Sequence, residues 1–377
     1  MYIGNNEINA VYLGSEEITK IYQGNTVIYE EGGEPEPLDP TVPLTFEITG
    51  DGNIVWKAKE DTTSPKTIEY SKDKGVSWTS ITSTTGGTSI PVVSGDTVQF
   101  RGDNQNYGAY INTVYYYSTF SGSTAQFKVK GNIMSLINST NFSTLTTLST
   151  AYTFFNLFNG CTGLTDASNL ILPATSLKTY CYMQMFIGCT NLTTAPQLPA
   201  TKLANFCYKN MFYGCTSLTT APELPATLAF GLGNGCYNNM FYNCTSLTTA
   251  PELPSATLAS GCYEGMFYNC TSLTTAPELP ATTLTSNCYY QMFYGCTSLT
   301  TAPELPATTL VGYCYQGMFR GCSKLNYIKC LATDIGYNYT TNWVYGVSGT
   351  GTFVTPSSTA WTTGTGGIPN GWTRVDA

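Results

Sequence analysis

The chain contains no histidine in its 377 residues. That removes the commonest general base, the serine–histidine pairing of nucleophilic catalysis and every histidine-containing zinc site. Charge is scarce too: Asp, Glu, Lys and Arg make up 11%, with 16 basic residues against 24 acidic ones and a net charge of −8. The basic residues form no cluster, so the electrostatic footprint of a nucleic-acid partner is missing and none is expected. No apolar run reaches about 18 residues, so no membrane insertion is expected either. The opening MYIGNNEINA has neither a basic start nor an apolar core, and no secretory signal is read there. Cysteine is absent before Cys161 and after Cys330, yet fourteen crowd between those two.

What the chain has instead is repetition. The sentence CYxxMFxxCTSLTTAPELPATTL recurs with its Met-Phe pair (Leu-Phe in the first copy) at Leu157, Met185, Met211, Met240, Met266, Met292 and Met318. Four of the six intervals are 26 residues; the others are 28 and 29. Such self-similarity predicts a solenoid in which each copy is one coil stacked on the last. The extra residues before Met240 fall in AFGLGNG, where a loop absorbs them.

Cysteines are locked to the repeat as Cys181/Cys189, Cys207/Cys215, Cys236/Cys244, Cys262/Cys270, Cys288/Cys296 and Cys314/Cys322, with Met midway. The i, i+4, i+8 spacing predicts one face of a short helix. Two cysteines eight helical residues apart lie about 12 Å from each other, too far for a disulfide within a pair. Equivalent cysteines on neighbouring coils would be about 5 Å apart, within range of bridging or metal binding. No CxxC spacing occurs, so buried free thiols acting as small hydrophobes are expected, without metal or cofactor. TSLTTAPELP then predicts a brief parallel strand turning Leu218, Ala221 and Leu224 inward, cut short by Pro222 and Pro225.

Five segments make up the chain. Residues 1–29 read YIGNNEINAV, YLGSEEITKI and YQGNTVIYE, with Tyr2, Tyr12 and Tyr22 each followed two residues on by Gly4, Gly14 or Gly24. Tiny strands and turns are predicted, in a module too small for a core of its own. Residues 30–43 form an acidic Pro/Gly linker. Residues 44–130 alternate apolar and polar positions between Gly, Asp and Ser turns, which predicts a β-sandwich-like domain. Residues 131–335 are the solenoid of about seven coils, and 336–377 a β-rich cap containing Trp343, Trp361 and Trp372. The expected fold is therefore mainly β with short helices.

Within the sandwich region, Ser71-Lys72-Asp73-Lys74-Gly75-Val76-Ser77-Trp78 resembles the Asp-box known from sialidases. Its physics is that of a hairpin turn closed by Asp and Ser side chains, with Gly at a left-handed position. A single copy implies no sialidase activity. Arg101-Gly102-Asp103 spells an integrin-type tripeptide but ends a predicted strand, and no binding role is read from it.

The MFxGCTSLTTAPELPATTL repeat resembles the BspA-like leucine-rich repeats, a class found in surface proteins of gut Bacteroidales and in their tailed, crAss-like phages. The ending CLATDI…WVYGVSGTGTFV…GWTRVDA and the PLTFEITG…GNIMSL domain resemble regions accompanying such repeats, and YLGSEEITKIYQG resembles N-terminal modules of phage appendages. Typical coils of the class read LTSVTIP where this chain has LTTAPELP, so strand details are not carried over. The resemblance implies a virion structural protein, a head or tail fibre, with a bacterial cell-surface adhesin as the alternative. Residues 1–29 would anchor it to other virion proteins through Tyr2, Gly4, Tyr12, Gly14, Tyr22 and Gly24. A homotrimer is expected, made in the host cytoplasm and displayed on the particle.

No enzymatic activity is expected, because a regular row offers no asymmetric cleft for a carboxylate pair. The candidate ligand surface comprises Tyr213, Tyr242, Tyr268 and Tyr294, together with Glu223, Glu252, Glu278 and Glu304. Its partner would be a host surface glycan or protein. The competing readings are inter-coil packing for the tyrosines and a solvated edge for the glutamates. A second tyrosine row, Tyr182, Tyr208, Tyr237, Tyr263, Tyr289 and Tyr315, follows each first cysteine, and at least one of the two rows should be partly exposed.

Overall fold

A computed structural model describes residues 38–377 except 60–64, 225–230, 254–256, 334, 337 and 360. Of residues 1–37 it describes the backbone of six short strands. The chain divides into two compact units, 1–39 and 40–377.

In the first unit β1 (Tyr2–Ile3) pairs with β2 (Asn6–Glu7), β3 (Tyr12–Leu13) with β4 (Glu16–Glu17), and β5 (Lys20–Gln23) with β6 (Thr26–Glu30). All three pairs are antiparallel, one from each decapeptide, so the ten-residue sequence period is also a structural period. Gly4, Gly14 and Gly24 lie outside the described residues, as do the side chains of Tyr2, Tyr12 and Tyr22.

The second unit begins as two facing sheets. Its strands are β7 (Leu44–Gly50), β8 (Gly52–Lys59), β9 (Thr67–Ser71), β10 (Thr79–Thr82) and β11 (Thr88–Val92). They continue with β12 (Thr97–Arg101), β13 (Gly108–Ile111), β14 (Val114–Thr119), β15 (Gln126–Asn132) and β16 (Leu164–Ile171). One sheet has the order β10-β9-β12-β7-β15-β16 and the other β11-β8-β14-β13. Alternating side chains of β7, β8, β12 and β15 put Phe46, Trp56, Phe100 and Phe127 between the layers, all fully buried. Two buried polar tips find carbonyl partners: Trp56 Nε1 donates to Lys66 O at 2.8 Å and the Tyr107 hydroxyl to Leu136 O at 2.6 Å.

Strand β16 already belongs to the repeats, and it pairs in parallel with β15. The first sheet therefore runs from sandwich into solenoid without a break, and Phe46 approaches Phe158 of the first coil at 6.0 Å.

The short helices expected in CYxxMFxxC are not formed. Among the described residues the helical elements are two 3-10 turns, Ile133–Leu136 and Phe142–Thr144, both ahead of the repeats. Each CYxxMFxxC segment is instead a run of tandem turns with a left-handed residue at every fourth position. Tyr180, Gln184 and Gly188 have φ of 59°, 59° and 70°, and Asn287, Gln291 and Gly295 have 58°, 53° and 72°. Gly, Asn and Gln dominate the second and third of these positions, where short polar or absent side chains tolerate positive φ. Turns of this period carry Cys181, Met185 and Cys189 inward, as a helix would have done.

The hydrogen bonds explain why turns win. Within the coil, Met183, Met185, Ile187 and Cys189 N–H groups donate to the carbonyl three residues back. The alternate donors Tyr182, Gln184, Phe186 and Gly188 reach the next coil, at Cys207, Lys209, Met211 and Tyr213 O, over 2.8–3.0 Å. A helix would satisfy every donor internally and leave nothing to join the coils. Among the described residues the TSLTTAPELP segment adds single-residue parallel bridges, Thr194 to Thr220 to Thr249 to Thr275. Proline keeps it from becoming a strand.

Residues 336–377 continue the same ladder. Phe319 N–H donates to Trp343 O and Gly321 N–H to Tyr345 O, so Trp343 takes the methionine position and Gly346, with φ 78°, the glycine position. Strands β17 (Tyr327–Lys329), β18 (Thr352–Thr355) and β19 (Thr373–Asp376) then stack in parallel. Trp343, Trp361 and Trp372 are buried, each with its indole N–H on a backbone carbonyl.

Candidate functional site

The two tyrosine rows have opposite fates. Tyr182, Tyr208, Tyr237, Tyr263, Tyr289 and Tyr315 are at most 1% exposed and form an interior column with ring centroids 5.8–6.1 Å apart. This column continues through Trp343 to Trp361. The hydroxyls of Tyr182, Tyr237 and Tyr263 are buried without a hydrogen-bond partner, and burial pushes these phenols well above their ordinary pKa.

Tyr213, Tyr242, Tyr268 and Tyr294 are half-exposed and stack in register on the outer side of the turns. Successive centroids are 4.5, 4.2 and 4.3 Å apart and the planes lie within 5–7° of parallel. Burial and then the adjacent phenols raise the pKa of Tyr213 and Tyr268. The sequence did not reveal how far the row extends. Arg320 occupies the next position with its guanidinium 5.5 Å from the Tyr294 ring and 5.1 Å from that of Tyr345, which carries the row onto the following coil. The signal was available, since MFY becomes MFR and then WVY at the same register.

Stacking also decides what this row can offer. Each ring face is covered by the next ring, so solvent meets ring edges and hydroxyls rather than open aromatic faces. A sugar cannot lie flat on a face already occupied. Hydrogen bonds to a line of phenols, and edge contacts, remain.

Glu223, Glu252, Glu278 and Glu304 are exposed, and Glu304 pairs with Lys329 at 3.0 Å. The carboxylate that burial does move is Glu264, in a variable position of the repeat also held by Lys209 and Asn238. Desolvation raises its pKa, opposed by the charge of Lys209 and a hydrogen bond from Asn238.

All fourteen cysteines are buried and free. Those ending each turn run hydrogen-bond across coils: the Cys189, Cys215, Cys244, Cys270, Cys296 and Cys322 thiols donate to Phe158, Phe186, Phe212, Phe241, Phe267 and Phe293 O at 3.0–3.1 Å. Burial pushes Cys189 and Cys322 up to about 12, so they are neutral packing groups rather than nucleophiles. Among the described residues no cluster of cysteine and carboxylate side chains is arranged to hold a metal ion, and no helix is long and apolar enough to cross a membrane.

The Asp-box forms the β9–β10 turn. Asp73 accepts from Ser71 Oγ at 2.6 Å, Ser77 Oγ at 2.6 Å and Ser77 N at 2.9 Å, which holds its pKa down at about 2. Gly75 is left-handed as expected, and so is Lys74, with φ 58°. The Arg101-Gly102-Asp103 tripeptide is tied down: Arg101 pairs with Glu69 at 2.7 Å, and Asp103 accepts from Ser139 N and Oγ.

Residues 234–342 match the family described as BspA type leucine-rich repeat region, in six copies. Among solved structures, the chain is similar to a leucine-rich repeat protein from Bacteroides ovatus, with 16% identity and a TM-score of 0.32. That alignment covers 68% of this chain and 59% of the other, so this chain spans well under two thirds of that protein's length. No curated protein matches.

Proposed function

We propose that this leucine-rich repeat protein is a non-enzymatic binding protein of a virion appendage, a head or tail fibre, whose solenoid engages a host surface glycan or protein. The observation that carries the binding half is the outer row of Tyr213, Tyr242, Tyr268 and Tyr294, one chemical group repeated on a regular stack and continued through Arg320 to Tyr345. A row of weak, identical contacts gains through multiplicity what each lacks alone. Its covered ring faces favour a hydroxyl-rich chain or a protein surface that hydrogen-bonds to phenols. The virion half rests on the triple Tyr-Gly module of residues 1–29, three small hairpins that serve best as an attachment element. A trimer belongs to this reading.

The test has two parts. Antibody against the solenoid should label purified phage particles, and particles carrying Tyr242→Ala with Tyr268→Ala should adsorb to host cells several-fold more slowly. Tyr→Phe at the same positions separates hydroxyl recognition from ring packing. Labelling of uninfected bacterial surfaces instead of particles would replace the fibre by the adhesin, a reading favoured by the match of residues 234–342 to BspA type repeats.

A further inference from the structure

We propose that the β-sandwich carries a site for a carboxylated sugar, separate from the solenoid surface and independent of its function. A cavity of about 350 Å³ opens where the Ser71–Trp78 turn meets β12 and the segment around Phe142, lined among others by Lys74, Trp78, Gln99, Arg101, Ser139 and Phe142. Its size is at the lower end for small-molecule sites, and its lining brings polar and apolar residues together in similar measure.

Two cationic residues, Arg101 and Lys74, line it. The Arg101 guanidinium lies 4.1 Å over the Trp78 ring, and its Nε donates to Glu69 at 2.7 Å. That pairing fixes the plane of the group while leaving its terminal nitrogens without a partner among the described residues. Lys74 likewise has no ion pair or hydrogen bond among the described residues. The nearby carboxylates are already engaged: Glu69 by Arg101, Asp73 by Ser71 and Ser77, and Asp103 by Ser139.

The backbone adds a second argument. Lys74 is held at φ 58° by the closed Asp-box turn, where a non-glycine residue costs about 1–2 kcal/mol. Glycine or asparagine would fit there with less strain. A lysine kept in this conformation within the lining of a cavity is an outlier from which function can be inferred.

The chemistry follows from the lining. A carboxylate fits the free end of a guanidinium fork and a lysine amine together. A pyranose ring offers an apolar face to Phe142 and hydroxyls to the Gln99 amide and Ser139. A neutral sugar would leave both cations unmatched, and a small carboxylate would leave the Phe142 wall bare.

The experiment titrates the full chain with glucuronate, glucose and acetate, reading tryptophan fluorescence and saturation-transfer NMR. Glucuronate should bind saturably, and glucose and acetate each at least about ten-fold more weakly. Lys74→Gly relieves the strained backbone and keeps the turn; it should cut glucuronate affinity about ten-fold. Lys74→Asn, which also tolerates positive φ, serves if the glycine variant loosens the turn. Unchanged affinity in these variants, equal binding of glucose or acetate, or no saturation by glucuronate would overturn the site, while leaving the solenoid reading untouched.

Discussion

In the sandwich, Phe46 meets Phe100, Phe120 and Phe127 at 4.7–4.8 Å with interplanar angles from 4° to 60°. In the solenoid, Phe241 meets Phe212 and Phe267 at 5.7 and 5.8 Å, within 6° of parallel. One region fits unlike neighbours together once; the other lets each residue pack on its own copy. The sandwich therefore tolerates a varied sequence as long as volumes fit, whereas the solenoid enforces identity along columns. That is why Cys, Met and Phe scarcely vary over the array. Single-residue chemistry is also multiplied: a property that is minor in one coil becomes a property of the whole stack.

Alkaline pH should break the comparison most severely. Cysteine is confined to the solenoid, and burial raises Cys181, Cys262 and Cys330 from 9.0 to about 12. A thiol protonated in the fold but free to ionise once released contributes stability that is complete below pH 9 and falls as pH climbs toward 12. The loss is about 1.4 kcal/mol per thiol for each unit above the ordinary value. Hydrogen exchange should show the coils opening in this window before strands β7 to β15 do. Thiolate absorbance rising near pH 9 with the fold intact would contradict the buried columns.

Next in size is truncation of a shared column. Phe241→Ala should cost about 3–5 kcal/mol, as for other buried phenylalanines. Because repeat stability is a sum over neighbours, amide protection should fall first in the coils of Phe212 and Phe267, and the sandwich should keep its own. Equal loss across the chain would show that the two regions unfold as one. A smaller effect, about 1 kcal/mol, is expected for Asn243→Ala at φ 59°, with Asn243→Gly near neutral in denaturant titrations. An Ala variant as stable as wild type would mean that the turn run relaxes locally.

Much of this was legible beforehand, and the failures have physical causes. Repeat register, the inward Cys, Met and Phe columns and the Asp-box turn all follow from spacing, because spacing reports which side chains share a face. Spacing could not separate a helix from tandem turns, since a period of four satisfies both. The deciding clue was chemical: Gly, Asn and Gln at every fourth place, as at Gly235, Asn239 and Asn243. Nor could spacing tell the buried Tyr208 from the half-exposed Tyr213, both of which follow a core residue. The last coils escaped notice because Trp343 and Val344 stand where Met318 and Phe319 stood, so the fold persists after the consensus has ended.

The smallest effect belongs to the sandwich and tests whether its chemistry is as local as its packing. Asp73 is held at about 2, first by the Ser71 hydroxyl and then by Ser77. A carboxylate depressed in the fold supports the turn fully above its ordinary 3.8 and loses that support as pH falls through 2. Ser77→Ala removes the hydroxyl bond while keeping the backbone one, and should move the Asp73 titration upward, part of the way toward 3.8, in carboxyl NMR. The group is fully exposed, so the cost to global stability should be slight, and the Trp78–Arg101 stack should persist. If Ser77→Ala instead disturbed amides in the coils beyond β16, the continuous β15–β16 sheet would be transmitting strain, and the two regions would be less separable than their packing suggests.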